Sequence, residues 1–386
     1  MLLFLLASII PAALIAAAAF LGAPWPWVAL LGGVPCALFL DGTGLTAPKD
    51  RKADGLVLAL TTLLGLAHLT LMPLVIWGLV KLWHGHPLQA VALFLAAGVY
   101  FGQVANANAH ELIHMTRRWP RRLGITVYSW LLFGHHDSAH RLVHHIHVAS
   151  DADPNSARAG ESFYAFWLRA WTGSFRAAWA AVNAKRARAN PRKPAWTHPF
   201  LGYGLGAAAA LAMGWAVGGV MGVIAWIALC LYAQMQLLLA DYVQHYGLRR
   251  AELADGRLEP VSARHSWNAP QVWTAAMMLN APRHSDHHMN PARSFPELQL
   301  DRDAMPILPA SLPAMAFIAM IPPLWRNLMD PLLQDWRSAA VPRHKPAQEA
   351  LARARSHSPA PRDLPKSVHA SNRSDSPFPS GTASRS

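Results

Sequence analysis

Residues 56–83 read LVLALTTLLGLAHLTLMPLVIWGLVKLW, with a single charge, Lys81, close to the end. A helix rising 1.5 Å per residue needs roughly 20 apolar residues to cross a hydrocarbon core about 30 Å thick. This run is longer than that and apolar on every face, which a helix half exposed to water has no reason to be. It predicts a membrane span. The same reading gives five more, near 1–21, 25–40, 88–105, 200–217 and 220–240, so the expected fold is an all-α polytopic membrane protein of about six spans. The first two, separated by a Pro-punctuated turn, read as a tight helical hairpin.

The composition around these runs agrees. Of 386 residues, 53% are hydrophobic and 14% charged, and the mean hydropathy is +0.18, values that exclude a disordered chain and a water-soluble enzyme. The run at 1–21 opens without positive charge and is longer than a signal-peptide core, so it is read as a retained anchor. Residues 1–342 are expected to form the membrane-embedded body and 343–386, basic and rich in Ser, Pro and Arg, a disordered tail. Cys36 and Cys230 both lie in apolar runs, which leaves no disulfide framework, no CxxC zinc site and no cysteine-held cluster. The net charge of +13 is explained by retained loops rather than by nucleic acid. Basic residues crowd the segment from about 115 to 195, among them Arg117, Arg118, Arg121, Arg122, Lys185, Arg186 and Lys193, whereas the turns at 84–87 and 218–219 have none. The positive-inside rule then places that segment on the cytoplasmic side of a bacterial-type inner membrane, and an even number of spans returns both termini to it.

The chain has 20 histidines, and they cluster. His110 and His114, four apart in HELIH, share one face of a helix. His140 and His144 repeat that spacing, with His145 turned about 100° from its neighbour. His284, His287 and His288 make another such stripe, and His245 follows the last span alone. HELIH by itself matches a zinc-peptidase signature, but that site needs only one more ligand, and here the spacing recurs three times. Nine imidazoles exceed one tetrahedral shell, so two metal ions are expected; imidazole does not choose among zinc, copper, iron and nickel. His68, His84, His86, His198 and His265 are read as ordinary polar residues. A metal transporter or sensor would need ligands near the bilayer midplane, and these clusters lie at span ends.

The clusters resemble the boxes of the alkane 1-monooxygenase family, within the membrane fatty acid desaturase and hydroxylase superfamily, from about the fourth span to Pro331. HELIH (110–114) resembles the first box. FGH (133–135), HRLVHH (140–145) and VASDADP (148–154) with SARAGES (156–162) resemble the second, and RHSDHH (283–288) the last. DYVQHYGL (241–248) is similar to a short motif that supplies one further histidine in this family, and IPPLWR (321–326) with MDP (329–331) is similar to its C-terminal segment.

The resemblance implies that these nine histidines hold two non-haem irons. It also implies that one atom of O2 enters a terminal C–H bond of a medium- or long-chain alkane, giving a primary alcohol. Hydroxylation of an aromatic methyl group, as in xylene monooxygenases, or of a terpene is the alternative, with lipid desaturation or hydroxylation below it. The chain has neither a dinucleotide fingerprint nor cluster-binding cysteines, so electrons must come from outside. The resemblance implies a rubredoxin, or a ferredoxin, served by an NAD(P)H-dependent reductase and docking on the arginine-rich surface. Ala139 stands where the family usually has glutamate, and Asp241 and Gln244 where it has asparagine and glutamate. Glu111, Asp137, Asp241 and Asp286 are candidates for orienting the imidazoles.

Overall fold

The computed structural model describes residues 1–44 and 54–340. Lys49, Arg51 and Lys52, together with the expected tail at 343–386, lie outside the described residues. Among those described, regular structure is helical, and strand-like pairing is limited to two isolated bridges, Glu252 with Leu258 and Asn268 with Ile307. Met1–Trp336 forms one unit; of a second, Arg337–Ser386, only the first residues are described.

The chain opens with α1 (Leu2–Leu21), α2 (Trp25–Gly32), α3 (Val34–Gly42) and α4 (Asp54–Trp83). α5 (Pro87–Val99) passes through a π-helical turn, Tyr100–Ala105, into α6 (Asn106–His114), so one rod carries the chain from the fourth apolar run to the first histidines. Four helices, Leu2–Leu21, Gly55–Trp83, Pro87–His114 and Pro199–His245, are long and apolar enough to cross a membrane. The expected uninterrupted span at 25–40 is corrected: it is broken into α2 and α3, bent by 42°. Gly33 leaves helical backbone there, and Pro35 has no N–H to continue the ladder.

The longest element, after α7 (Arg118–Trp130), α8 (His136–Ala139), the π turn His140–His144, α9 (His145–His147) and α10 (Phe163–Ala187), is α11, Pro199–His245. Its backbone is non-helical at Gly218 and Gly219, the latter with φ 58°. In a straight helix residues eight apart lie about 12 Å from each other. Here a Cβ on Gly222 would collide with the Gly214 carbonyl, so the element is a hairpin whose arms match the two apolar runs expected at 200–217 and 220–240.

Inside the apolar region α1, α4, α5 and the second arm of α11 meet around Ile15, Met72, Ile76, Leu93, Phe101 and Trp226. In lipid such contacts stabilise through close packing and interhelical hydrogen bonds rather than through escape from water. Trp226 Nε1 donates to the Trp130 carbonyl at 2.9 Å and Gln234 Nε2 to the Leu131 carbonyl at 2.7 Å, satisfying acceptors that the end of α7 leaves free.

At the histidine-bearing end a second core forms around Tyr128, Phe163, Phe166, Tyr242, Tyr246, Trp267 and Trp325. It gathers α7, α10, the last turns of α11, α14 (Leu312–Ala319) and the longer α15 (Pro322–Ala340), while the short α12 (Trp273–Met277) packs on α1 and α3 and α13 (His284–Met289) carries the last histidines. Asp41, at the end of α3, caps α12 by accepting from Trp273 N at 2.7 Å and Thr274 Oγ1 at 2.6 Å. α10 buries Phe163, Phe166, Ala170 and Ala178 and leaves Leu168, Trp171, Phe175 and Trp179 exposed.

The hairpin contact generates a prediction. Gly222→Val should destabilise the protein by about 1–3 kcal/mol or more, since the nearest atom is backbone and cannot turn aside. Gly204→Val, where a Cβ meets nothing within 4 Å, should be nearly silent. Thermal unfolding in detergent reads both; equal midpoints would mean the arms are not closely packed.

Candidate metal centre

Nine imidazoles converge in two groups. His110, His114, His140, His145 and His287 make the first, and His144, His245, His284 and His288 the second; within each group the facing atoms all lie within 4.8 Å of one another. The spacing expectation is corrected at two points: His287 leaves the stripe of His284 and His288 for the first group, and the second box is split as well. His140 and His144, four apart, do not share a group. The backbone from His140 to His144 is π-helical, a wider turn that brings His140 and His145, five apart, onto one side. Adjacent residues therefore serve different groups, His144 against His145 and His287 against His288. The rings of His145 and His288, from opposite groups, are 4.8 Å apart between centroids.

The inward nitrogens are crowded. His140 Nε2 lies 2.8 Å from His110 Nε2 and 2.9 Å from His145 Nε2, which is 3.1 Å from His287 Nε2. In the second group His284 Nε2 lies 3.0 Å from His245 Nε2 and 3.1 Å from His288 Nε2. A neutral ring has one N–H and one lone pair, so a ring of such nitrogens cannot satisfy itself by hydrogen bonds. His114 Nε2 and His144 Nε2 are buried with no hydrogen-bond partner. A cation at the focus of each group answers both problems. Nitrogens about 2.1 Å from a shared ion stand about 3.0 Å apart at right angles and about 3.4 Å apart at a tetrahedral angle. The first group, with five nitrogens, exceeds a tetrahedral shell, and the second, with four, fills one.

Electrostatics favours the ligating form. Burial, reinforced by the neighbouring imidazoles, holds His140, His145, His284, His287 and His288 well below the ordinary histidine range, so these rings are neutral. His144 differs. Burial opposes its charge, but the Asp153 carboxylate outweighs burial and raises it; His144 Nδ1 donates to Asp153 Oδ2 at 2.9 Å. Ser156 Oγ at 2.7 Å and Asn155 N at 3.1 Å also donate to Asp153 and, with His144, hold it below the usual carboxylate range although burial alone would raise it. This bond leaves Nε2 of His144 as the atom facing the group.

The four carboxylates singled out from the sequence have other partners, and among the described residues none hydrogen-bonds an imidazole. Glu111 accepts from Phe295 N at 3.3 Å. Asp137 is held by Arg121 at 3.3 Å and Arg141 at 3.2 Å, and accepts from Tyr203 Oη at 3.1 Å. Asp241 accepts from Asn155 Nδ2 at 2.6 Å. Asp286 accepts from Arg293 Nη1 at 2.6 Å and from Gln299 N at 2.9 Å. Gln244 Nε2 donates to the Ala281 carbonyl at 3.1 Å, and Ala139 is buried beside His140. The orienting carboxylate that sequence reasoning missed is Asp153. Its signal is the ASDADP stretch (149–154), which puts Asp153 nine residues beyond His144 and, with Asn155 and Ser156 after it, marks a tight polar loop. His136 was also missed; with His110, His140, His284 and Asp241 it lines a chamber of about 60 Å3. His68, His84, His86, His198 and His265 lie outside both groups.

Asp153→Asn keeps the shape but removes the charge that fixes the His144 ring. It should lower metal affinity about 10- to 100-fold, measured by metal content after dialysis against a weak chelator. His84→Ala should retain the wild-type content. An unchanged Asp153→Asn protein would show that His144 needs no such partner.

Comparison with known proteins places these features. The sequence profile of the fatty acid desaturase family matches residues 85–319. Alkane 1-monooxygenase 1 of Alcanivorax borkumensis is 34% identical over 254 residues, 64% of this chain and 61% of that protein. An alkane 1-monooxygenase of Pseudomonas putida is 32% identical over 248 residues, 64% of this chain and 61% of that protein. The matched part thus spans about three fifths of these relatives' length. The xylene/toluene monooxygenase hydroxylase component of Pseudomonas putida is 26% identical over 331 residues, 82% of this chain and 85% of that protein. All nine histidines of the two groups fall within the segment that the profile covers, and the chain belongs to the fatty acid desaturase family.

Proposed function

We propose that this protein is a membrane monooxygenase that hydroxylates the terminal methyl of an apolar chain, converting an alkane to a primary alcohol. The observation that carries this reading is the chamber touched by His110 and His140 of one group and His284 of the other. It lies beside an apolar cavity of about 700 Å3 among the membrane helices, lined by Ile15, Leu30, Leu95, Val99, Leu239 and Phe317 among others. A chain lying in that cavity presents one end to the histidines.

His110, His114, His140, His145 and His287 would hold one iron, and His144, His245, His284 and His288 the other. A five-nitrogen group favours iron over tetrahedral zinc. The irons supply the activation of O2. The balance is one alkane, one O2, two electrons and two protons giving one alcohol and one water. The protein's own residues bind the chain, fix the imidazoles through Asp153, and keep the chamber dry with Leu237, Met278 and Leu312. A second reading, hydroxylation of an aromatic methyl group, is favoured by the xylene/toluene relative. The chamber's small size supports the slender alkane end.

The two electrons come from a separate carrier, a rubredoxin with its NAD(P)H-dependent reductase. His114, half-buried, forms part of a depression of about 560 Å3 lined by Arg118, Arg121, Arg122 and Arg141. An acidic carrier would be steered there by complementary potential. The basic segment 115–195 supports the reading that the histidine-bearing end faces the cytoplasm from an inner membrane.

Cells expressing the protein with a carrier and reductase should convert linear alkanes to primary alcohols, identified by mass spectrometry, and the purified protein should hold about two irons, since nine imidazoles exceed one shell. One zinc and no iron would overturn the oxygenase reading; oxidation of alkylbenzenes alone would favour the second.

Arg121 holds Asp137, so charge reversal is better made at the exposed Arg118 and Arg122. The double Glu variant should need several-fold more carrier for half-maximal rate and keep its turnover with a small chemical reductant; carrier-dependent turnover of the wild type should fall above roughly 0.15 M salt. Equal loss in both assays would mean that the arginines support the fold.

A further inference from the structure

A single side chain stands in the wall between the two cavities. The larger is bounded by α1, α2, α3, α5, the second arm of α11 and α14, and the smaller by the histidines. Gln103 lines both, and no other described residue does. It sits in the π-helical turn Tyr100–Ala105, an irregularity that membrane helices tend to keep where function requires it. Its Nε2 donates to Gln236 Oε1 at a long 3.3 Å, while its own Oε1 is buried with no partner. The facing helix comes this close because residue 102 is glycine: a Cβ there would stand 2.5 Å from Gln236 Cβ. Two amides in an otherwise apolar wall, one of them half-satisfied, cost stability that two leucines would not.

We propose that Gln103, held across the passage by Gln236, is a gate that admits slender apolar chain ends to the histidine chamber and turns away broad ones. The inference rests on the reading of the site as a hydroxylase of apolar chains. A chamber of about 60 Å3, part of whose wall is Gln103 itself, has room for a few water-sized groups, so a slender end enters more readily than a ring until that wall is shortened. Rotation of Gln103 breaks one weak hydrogen bond and joins the two spaces. Gln103 touches no histidine in this arrangement, so its part is selection and positioning.

The test uses the full chain in nanodiscs loaded with cobalt(II), whose visible absorption reports ligands reaching the ion. The probes are n-octyl isocyanide, with a slender head, and 4-butylphenyl isocyanide, with a broad one. The wild type should bind the octyl compound about tenfold or more tighter, a ratio of the size that pocket fit supplies. Gln103→Ala should bring the ratio close to one by tightening the aryl compound. Gln103→Leu, which keeps the bulk and loses the hydrogen bond, should keep the ratio and speed octyl association several-fold. If Gln103→Ala fails to fold, Gln236→Ala opens the passage from the other side and should give the same collapse of the ratio.

An unchanged ratio in the folded alanine variants overturns the gate, even where the cells oxidise alkanes. Conversely, the expected cobalt spectra from a protein whose cells oxidise no apolar substrate would remove the hydroxylase reading and keep the gate.

Discussion

The structure turns on two neighbouring pairs, His144 with His145 and His287 with His288, whose members point into different groups. Peptide geometry fixes consecutive residues of a helix about 100° apart, so each pair can straddle two foci only if those foci lie side by side. The π turn at His140–His144 makes the first pair straddle correctly, and the short helix His284–Met289 does the same for the second. Much of the aromatic core around Tyr242, Tyr246 and Trp325 serves to hold the loops that bear these elements against the ends of α6 and α11. Tyr242 Oη donates to the Glu161 carbonyl and Tyr246 Oη to Asp330, each at 2.6 Å, tying both flanks to the turn that carries His245.

Charge balance explains why so few carboxylates reach the histidines. Asp137 and Asp286 are already neutralised by Arg121, Arg141 and Arg293, and their bonds lock the helices α8 and α13 instead of the rings. Among the described residues Asp153 makes no ion pair with an arginine, and it fixes His144 instead. Asp241 is held by an amide alone, from Asn155. A metal-loaded centre would thus keep most of the ions' positive charge uncompensated by its ligands, and the nearby anions would act through space rather than by coordination.

The membrane-crossing runs and the histidines were legible because both signals are local: apolar length for the spans, spacing for the imidazoles. Four features were not. The bend at Gly33 lies in an apolar run whose hydropathy does not register backbone geometry. The π turn at His140–His144 departs from the 3.6-residue period, which assigned His144 to the wrong partner. α10 lies in the segment read only as basic, yet Arg169 is drawn inward by Glu161, at 2.7 Å, and the helix leaves an aromatic stripe outside. Asp153 escaped notice for a related reason: its role needs the loop after His147 to fold back, and no period in the sequence encodes a loop.

The rod Pro87–His114 joins the separate demands of the proposed chemistry. An apolar substrate, a dry chamber and a water-borne electron carrier require surroundings of opposite polarity within a short distance. Gln103 on this rod faces the apolar cavity, His110 the chamber, and His114 the arginine-lined depression. Eleven residues at 1.5 Å each put the first about 16 Å from the last. On the proposed reading, substrate and electrons would approach the same histidines along one helix from opposite ends, and neither route would cross the other. That separation is what lets a site built from neutral imidazoles stay closed to water on the membrane side while remaining half-open at His114 on the other.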